Sequence, residues 1–324
     1  MILSFHGLRI ELYTPDAPIM DAWAHLFSGW PETAAVGTGQ PDILLELHWR
    51  ESLPPLPDAP PIFTDQNSRQ AAPAILTAYA EPNGRVALHF HEAGLVSAPL
   101  TAPLHGETQT AVGVITPASL ANGRFEDITF TTLAPMLRRR GYFLLHAFAV
   151  AKNGRAALLV GASGSGKTTS GLSLVLNGWE LLSNDVVALQ ARPEGIFALP
   201  VPDMVSIRPF TFHLLPELAR QLGSPPATNP INIPAGALTN GRWAKPALVT
   251  AVYFPMLDHQ ATSAAIPLSR AVCLARLMEQ SIDQWDTAVL ADHMNALQTL
   301  SRQAAPYTLH LAKDVYDLPS LIQV

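Results

Sequence analysis

The eight residues Gly161-Ala162-Ser163-Gly164-Ser165-Gly166-Lys167-Thr168 constrain this chain more than any other stretch. They fit G-x-x-x-x-G-K-[ST] without a mismatch. An apolar, β-like run from Ala156 to Val160 precedes them. A helical pattern from Thr169 to Asn177, closed by Gly178, follows. Strand, loop and helix together are the context that a phosphate-binding loop needs. The bland alternative is a glycine-rich β–α turn that binds nothing. The coincidence of full pattern and full context weighs against it.

The spelling follows from chemistry. Backbone N–H groups that converge on phosphate oxygens need unusual dihedrals and close approach, hence glycine. The next helix adds its N-terminal dipole and its unpaired N–H groups. The candidate nucleotide-binding residues are therefore Gly161, Ala162, Ser163, Gly164, Ser165, Gly166, Lys167, Thr168 and Thr169. Lys167 would bring a point charge to the β- and γ-phosphates of ATP, and Thr168 a hydroxyl to Mg²⁺. Lysine is scarce elsewhere, with only Lys152, Lys245 and Lys313 besides.

The next acidic group narrows the class. Glu180 aside, the first carboxylate after Lys167 is Asp185, in Leu181-Leu182-Ser183-Asn184-Asp185. In many nucleotide-hydrolysing folds the metal-binding acid lies on a strand much further along. Here it arrives on the strand immediately after the loop's own helix, so Thr168 and Asp185 are the metal candidates. An aspartate that merely caps the Ser183-Asn184 bend is the competing account. Upstream, Phe148 to Ala151 and Ala156 to Val160 flank Lys152-Asn153-Gly154-Arg155, and Asn-Gly is the strongest short hairpin signal. Downstream, Val186 to Leu189 and Ile196 to Leu199 flank Arg192-Pro193-Glu194-Gly195, a second hairpin. The strand entering the loop is thus expected to pair antiparallel with its predecessor, unlike the βαβ entry of a typical P-loop GTPase.

From Leu145 to Leu189 the chain resembles the kinase domain of HPr kinase/phosphorylase and the broader set of HPr-kinase-like proteins. These are distantly similar to phosphoenolpyruvate carboxykinase. The resemblance is carried by Leu145-His146, the Asn-Gly hairpin, the loop from Gly161 to Thr168, the helix ending at Asn177-Gly178, and Leu181 to Asp185. A looser echo is Pro306-Tyr307-Thr308-Leu309-His310-Leu311, which looks like the closing strand of such domains. It implies an α/β fold: a P-loop kinase core of the HPr kinase/phosphoenolpyruvate carboxykinase type, with a mostly β N-terminal part. It also implies catalytic roles. Lys167 holds phosphate, Asp185 accepts the proton of an attacking hydroxyl, and His146 lies near the transferring phosphate. HPr kinases carry two adjacent acids where this chain has Asn184-Asp185. Asn184 cannot act as a base or bring a second negative charge to a metal. The glycine-rich signature of the bifunctional enzymes has no clear match either. Both departures argue against phosphorolysis and against HPr as substrate.

Length and composition agree with a folded chain of two or three domains. Its 324 residues are 48% hydrophobic and 14% charged, enough to bury a sizeable core. A net charge of −6 gives no footprint for nucleic acid. The single Cys273 excludes an intramolecular disulfide and suits a reducing cytosol. No stretch is long and apolar enough for a membrane span, and Met1 to Tyr13 is too polar for a signal peptide. A cytoplasmic protein is expected.

Residues 1–130 read as a mostly β N-terminal domain and 131–324 as the kinase domain. Strands are expected at Ile2–Phe5, Leu8–Leu12, Ile43–Trp49, Ile75–Tyr79, Val86–Phe90 and Leu95–Ser97, with a helix at Ile19–Phe27. His89 and His91 share a strand face opposite Leu88 and Phe90, and a solvated face is favoured over a metal site because no third ligand is near. A helix is expected over Phe130–Arg140, its Arg138, Arg139 and Arg140 complementing the dipole, with Pro135 kinking it or delaying its start. Arg208 is a weaker phosphate candidate. Gly223 to Gly241 reads as a long loop with the composition of a lid. Helices are expected at Leu214–Leu222, Ser269–Gln280 (capped by Ser269) and Ala288–Ala304, and strands at Leu248–Phe254 and Tyr307–Leu311. Cys273 reads as packed rather than reactive.

The function expected is transfer of the ATP γ-phosphate to a serine of a peptide or protein, with Mg²⁺ as cofactor and homo-oligomer formation left open. Two other readings remain: a kinase for a small hydroxylated metabolite, and a nucleotide-binding switch without transfer.

Overall fold

The structure is a computed structural model that describes residues 1–30, 39–65, 75–104, 106–121, 123–223, 228–239, 243–258, 262–281 and 285–324. It is a mixed α/β protein in two units. The first holds Met1–Phe27, Pro31–Gly141 and Asp283–Leu290, and the second Ser28–Trp30, Tyr142–Ile282 and Ala291–Val324. The change of unit therefore follows the helix into which a 130/131 boundary would cut.

In the first unit the order is β1 (Ile2–Phe5), β2 (Leu8–Tyr13), α1 (Ala17–Leu26), β3 (Ile43–Trp49), β4 (Pro61–Thr64), β5 (Leu76–Glu81), β6 (Arg85–Phe90), β7 (Gly94–Pro99), β8 (Gln109–Ile115) and α2 (Arg124–Arg138). The strands form one sheet, β1-β2-β3-β8-β7-β6-β5-β4. β2, β3 and β8 run parallel, and the other neighbours are antiparallel. Alternation in β3 buries Ile43, Leu45 and Leu47 on one face, where α1 brings Ile19, Trp23 and Leu26. His89 and His91 stand opposite the buried Leu88 and Phe90, and no group of three His, Cys, Asp or Glu side chains suited to a metal occurs among the described residues.

Three expectations for this unit need correction. Strands β4 and β8 form where none was expected. The helix expected from Phe130 starts six residues earlier and runs through Pro135. Its arginines also do more than meet the dipole. Arg139 and Arg140 donate to the last-turn carbonyls of Pro135 and Met136, but Arg138 and Arg139 also close on the buried Asp286. They are thereby spent within this unit and not on a phosphate.

The second unit follows with β9 (Tyr142–Lys152), β10 (Arg155–Val160), α3 (Lys167–Leu176), β11 (Glu180–Ser183), β12 (Val186–Arg192), β13 (Gly195–Leu199), β14 (Met204–Ile207), α4 (Pro209–Leu214) and α5 (Pro216–Leu222). Then come β15 (Ile231–Pro234), α6 (Ala235–Leu238), β16 (Ala247–Leu257), β17 (Ala264–Pro267), α7 (Arg270–Glu279), α8 (Leu290–Gln303), β18 (Ala305–Leu311) and α9 (Leu318–Leu321). Both expected hairpins form: β9 pairs antiparallel with β10, and β12 with β13. Asn153 and Gly154 both take positive φ, 53° and 76°, as a two-residue type I′ turn requires. The sheet runs β10-β9-β12-β13-β16-β18-β17, with β11 also on β9 and β10 also parallel to β16.

Strand β9 explains the layering. Its odd residues, from Phe143 to Ala151, face a core shared with Cys273 and Leu277 of α7 and Leu297 and Leu300 of α8. Its Phe148 and Val150 face the opposite core, with Leu172 and Leu174 of α3, Phe212 of α4 and Leu318 of α9. The sheet is thus covered by helices on both sides. Ser269 caps α7 as expected, its Oγ accepting from Val272 N. The helix expected over Leu214–Leu222 is split at Leu215, because Pro216 disfavours helical geometry in the residue before it. In the loop expected from Gly223 to Gly241, residues 224–227 and 240–241 lie outside the described residues. The rest contains β15, which pairs with β14, and α6.

Candidate functional site

The loop joins β10 to α3 as the motif demands. Ser165 N donates to Ala162 O, closing a turn at 3.2 Å, and Ser170 N donates to Gly166 O, opening the helix. Gly166 is the N-cap, with φ +104°, and a Cβ there would lie 2.5 Å from Leu311 Cδ1 of β18. The backbone conformation favours glycine at this point, and any side chain would also have to displace the Leu311 methyl.

Lys167 is the first residue of α3 and is buried. Its Nζ donates to Gly161 O at 2.5 Å and Ala162 O at 3.3 Å, so the ammonium is held over the loop. It also lies 2.8 Å from His146 Nε2. Burial lowers the lysine pKa, opposed by the charge of Asp185. Burial lowers that of His146 as well, with Asp185 opposing and Lys167 reinforcing. A neutral His146 accepting at Nε2 from the lysine fits both shifts. That nitrogen then has no proton to donate to the Asp185 carboxylate, 3.5 Å away.

Sheet pairing fixes where Asp185 sits. β11 and β12 lie in succession along β9, Ser183 opposite Ala149 and Val186 opposite His146. Between them the chain bends at Asn184 and Asp185, while Asp185 O still accepts from Ala147 N at 2.9 Å. A ladder interrupted beside a site is a common way to re-aim a side chain. The Asp185 carboxylate thereby comes within 3.5 Å of His146 Nε2 and is 45% exposed, open to a ligand. Asn184 turns toward the loop: its Oδ1 accepts from Thr168 Oγ1 at 3.4 Å, and its Nδ2 donates to Met204 O at 3.0 Å.

Geometry also decides what caps the bend. The amides of Asn184 and Asp185 both donate to one oxygen of Asp203, Oδ2, at 2.6 and 2.8 Å. The single Ser183 hydroxyl hydrogen lies between that oxygen, at 3.0 Å, and Val186 O, at 2.6 Å. Asp203 Oδ1 is buried without a partner. Burial pushes this carboxyl up to about 7, against the pull of its three hydrogen bonds. Asp203 was not among the residues that the sequence singled out. It stands in Pro200-Val201-Pro202-Asp203, with no spacing that ties it to Asp185.

The structure therefore brings Lys167, His146, Asp185, Asn184 and Thr168 together at the loop. Thr169 points elsewhere, its Oγ1 3.0 Å from Thr211 Oγ1 of α4. Arg208, the exposed N-cap of α4, lies three residues before Thr211. Comparison with known proteins adds nothing to these observations: no family profile matches the chain, and no curated protein matches it significantly. No described helix is long and apolar enough to cross a membrane.

Proposed function

We propose that the protein is an ATP-dependent kinase with a P-loop core of the HPr kinase type, acting on a serine hydroxyl of a peptide or protein in the cytoplasm. One observation carries the reading: the exposed Asp185 carboxylate stands 3.5 Å from His146, which stands 2.8 Å from the Lys167 ammonium over the loop. A candidate base and a candidate phosphate-binding cation stand together beside the glycine-rich loop, as in-line phosphoryl transfer needs.

In the proposed reaction, the acceptor oxygen bonds to the γ-phosphorus as the bond to the ADP oxygen breaks, and the acceptor proton passes to Asp185. Neutral His146 keeps Lys167 directed at the loop without competing for that proton. Thr168 Oγ1 and the Asp185 carboxylate are hard oxygen donors. That set, without a protein-only cage among the described residues, suits Mg²⁺, which takes one or two carboxylates with phosphates and water. When bound, Mg²⁺ would neutralise charge on the β- and γ-oxygens.

The test is transfer of label from γ-labelled ATP in a lysate of the source organism, comparing the natural chain with Asp185→Asn. Label in a peptide or protein, lost in the variant, supports the reading. Label only in small molecules points to a metabolite kinase. No Asp185-dependent label rejects catalysis and leaves a nucleotide switch.

A further inference from the structure

We infer that Asp203 is a positioning residue that sets the aim of Asp185 by anchoring the backbone on which it stands; this rests on the reading of Asp185 as the base. At the Asn184–Asp185 bend two amides leave the ladder with β9, and a buried amide must find another acceptor. Both find Asp203 Oδ2, at 2.6 and 2.8 Å, and Ser183 Oγ approaches the same atom.

That carboxylate comes from outside the bend. Asp203 lies between β13 and β14 and is 1% exposed. On one side its chain neighbour Val201 is tied to β11, Val201 N donating to Leu182 O at 3.0 Å. On the other, Asp203 O accepts from Ala235 N at 2.9 Å, and Met204 O holds the Asn184 amide. The anchor is therefore itself fixed on three sides. Burying a carboxylate with one oxygen unpartnered is costly. A purely structural bend has cheaper solutions, since a serine or asparagine side chain also caps amides. A single atom that orders two successive amides instead fixes the dihedrals immediately before the Asp185 side chain. Offsets of about 1 Å at a reacting group cost on the order of a hundredfold in rate.

The experiment compares Asp203→Asn and Asp203→Ser, alone and combined with Asp185→Asn. Three quantities are read: ADP affinity without metal, Asp185-dependent label transfer, and hydrogen exchange at the Asn184 and Asp185 amides. Asp203→Asn keeps an acceptor in place, whereas Asp203→Ser is too short to reach both amides. The expected result is that Asp203→Ser loses on the order of tenfold or more in kcat, with ADP affinity within about threefold and faster exchange at both amides. Asp203→Asn recovers most of the loss, and Asp203→Ser has no further effect once Asp185 is asparagine. Full kcat in Asp203→Ser, a parallel loss of ADP affinity, or an effect that adds to Asp185→Asn overturns the inference. If Asp203→Ser does not fold, Asp203→Asn decides: retained kcat with slow exchange supports anchoring, and lost kcat overturns it. If the natural chain shows no Asp185-dependent transfer, the kinase reading fails and the inference with it. Exchange at the two amides then reports separately whether Asp203 still anchors the bend.

Discussion

Asp185 and Lys167 do different work in the same small volume, and substitution should separate them. The carboxylate is 45% exposed and faces His146, whereas the ammonium is buried and bonded to two loop carbonyls. Asp185→Asn should lower kcat by at least about a hundredfold, the usual worth of a positioned base, with the affinity for metal-free ADP unchanged. Lys167→Ala should weaken ADP binding as well, because it removes the buried charge at the phosphates. Calorimetry beside label transfer checks both, and equal loss of binding in the two variants would contradict the division of labour. Cys273 gives a second check at this scale. It is fully buried in the core under α7, and burial pushes its thiol up to about 11. Alkylation at pH 8 should be slow in the native protein and complete in denaturant. The sign of the pH effect follows: the folded state holds this proton more tightly, so its contribution to stability is full below pH 9 and falls as pH rises toward 11. The loop residues and Asp185 were legible because the motif is local and its chemistry dictates its spelling. Asp203 was not, because what it does depends on a contact across 18 residues that no periodicity encodes.

Elements show the same divide between local and distant causes. The Asn153–Gly154 hairpin and the Ser269 cap were readable, since the residues that make them also sit in them. Strand β8 was missed. Its residues are Gln-Thr-Ala-Val-Gly-Val-Ile, and a Cβ on Gly113 would lie 2.7 Å from Val96 Cγ2 of β7, so its glycine answers to a neighbouring strand. Strand β15 was read as loop because its Pro- and Asn-rich sequence becomes a strand only against β14. Pro135 is absorbed by α2 because the twelve buried residues of that helix outweigh one lost hydrogen bond. Gly171 tests the element that carries the loop. On propensity alone Gly171→Ala should stabilise α3 by up to about 1 kcal/mol. A Cβ there would lie 2.2 Å from Cε1 of the fully buried Phe148. Overpacking at that distance should win and cost about 1–3 kcal/mol. Denaturant unfolding should show the loss, and adding Phe148→Leu should recover part of it. A more stable Gly171→Ala would mean that the packing of α3 on β9 is looser than the distances state.

For the whole molecule, the informative fact is that three stretches of chain make up the first unit. Met1–Phe27 and Pro31–Gly141 supply nearly all of it, but Asp283–Leu290 belongs there too, set between stretches of the second unit. Within the first unit that segment brings Asp286, 1% exposed, whose carboxylate takes Arg139 in two hydrogen bonds of 2.6 and 3.1 Å. Arg138 adds a bond to Asp286 O at 3.2 Å and lies 3.8 Å from its carboxylate. The sequence showed three adjacent arginines at a helix end and gave them to the dipole, because their acid lies some 147 residues away. Replacing a buried pair by well-packed apolar groups is often neutral, but removing one partner strands a buried charge and costs about 3–5 kcal/mol. Asp286→Ala removes the buried carboxylate that faces both guanidinium groups, although Arg138 keeps its bond to the carbonyl of residue 286 and Arg139 keeps those to Leu100 and Pro135. It should therefore destabilise the first unit specifically, whereas the loop and Asp185 belong wholly to the second. The variant should unfold in two steps by calorimetry, the first at lower temperature than any transition of the natural chain. ADP should raise only the second, since a ligand stabilises the unit that binds it. A single transition that shifts as one and responds to ADP throughout would mean that the two units unfold as a single cooperative body.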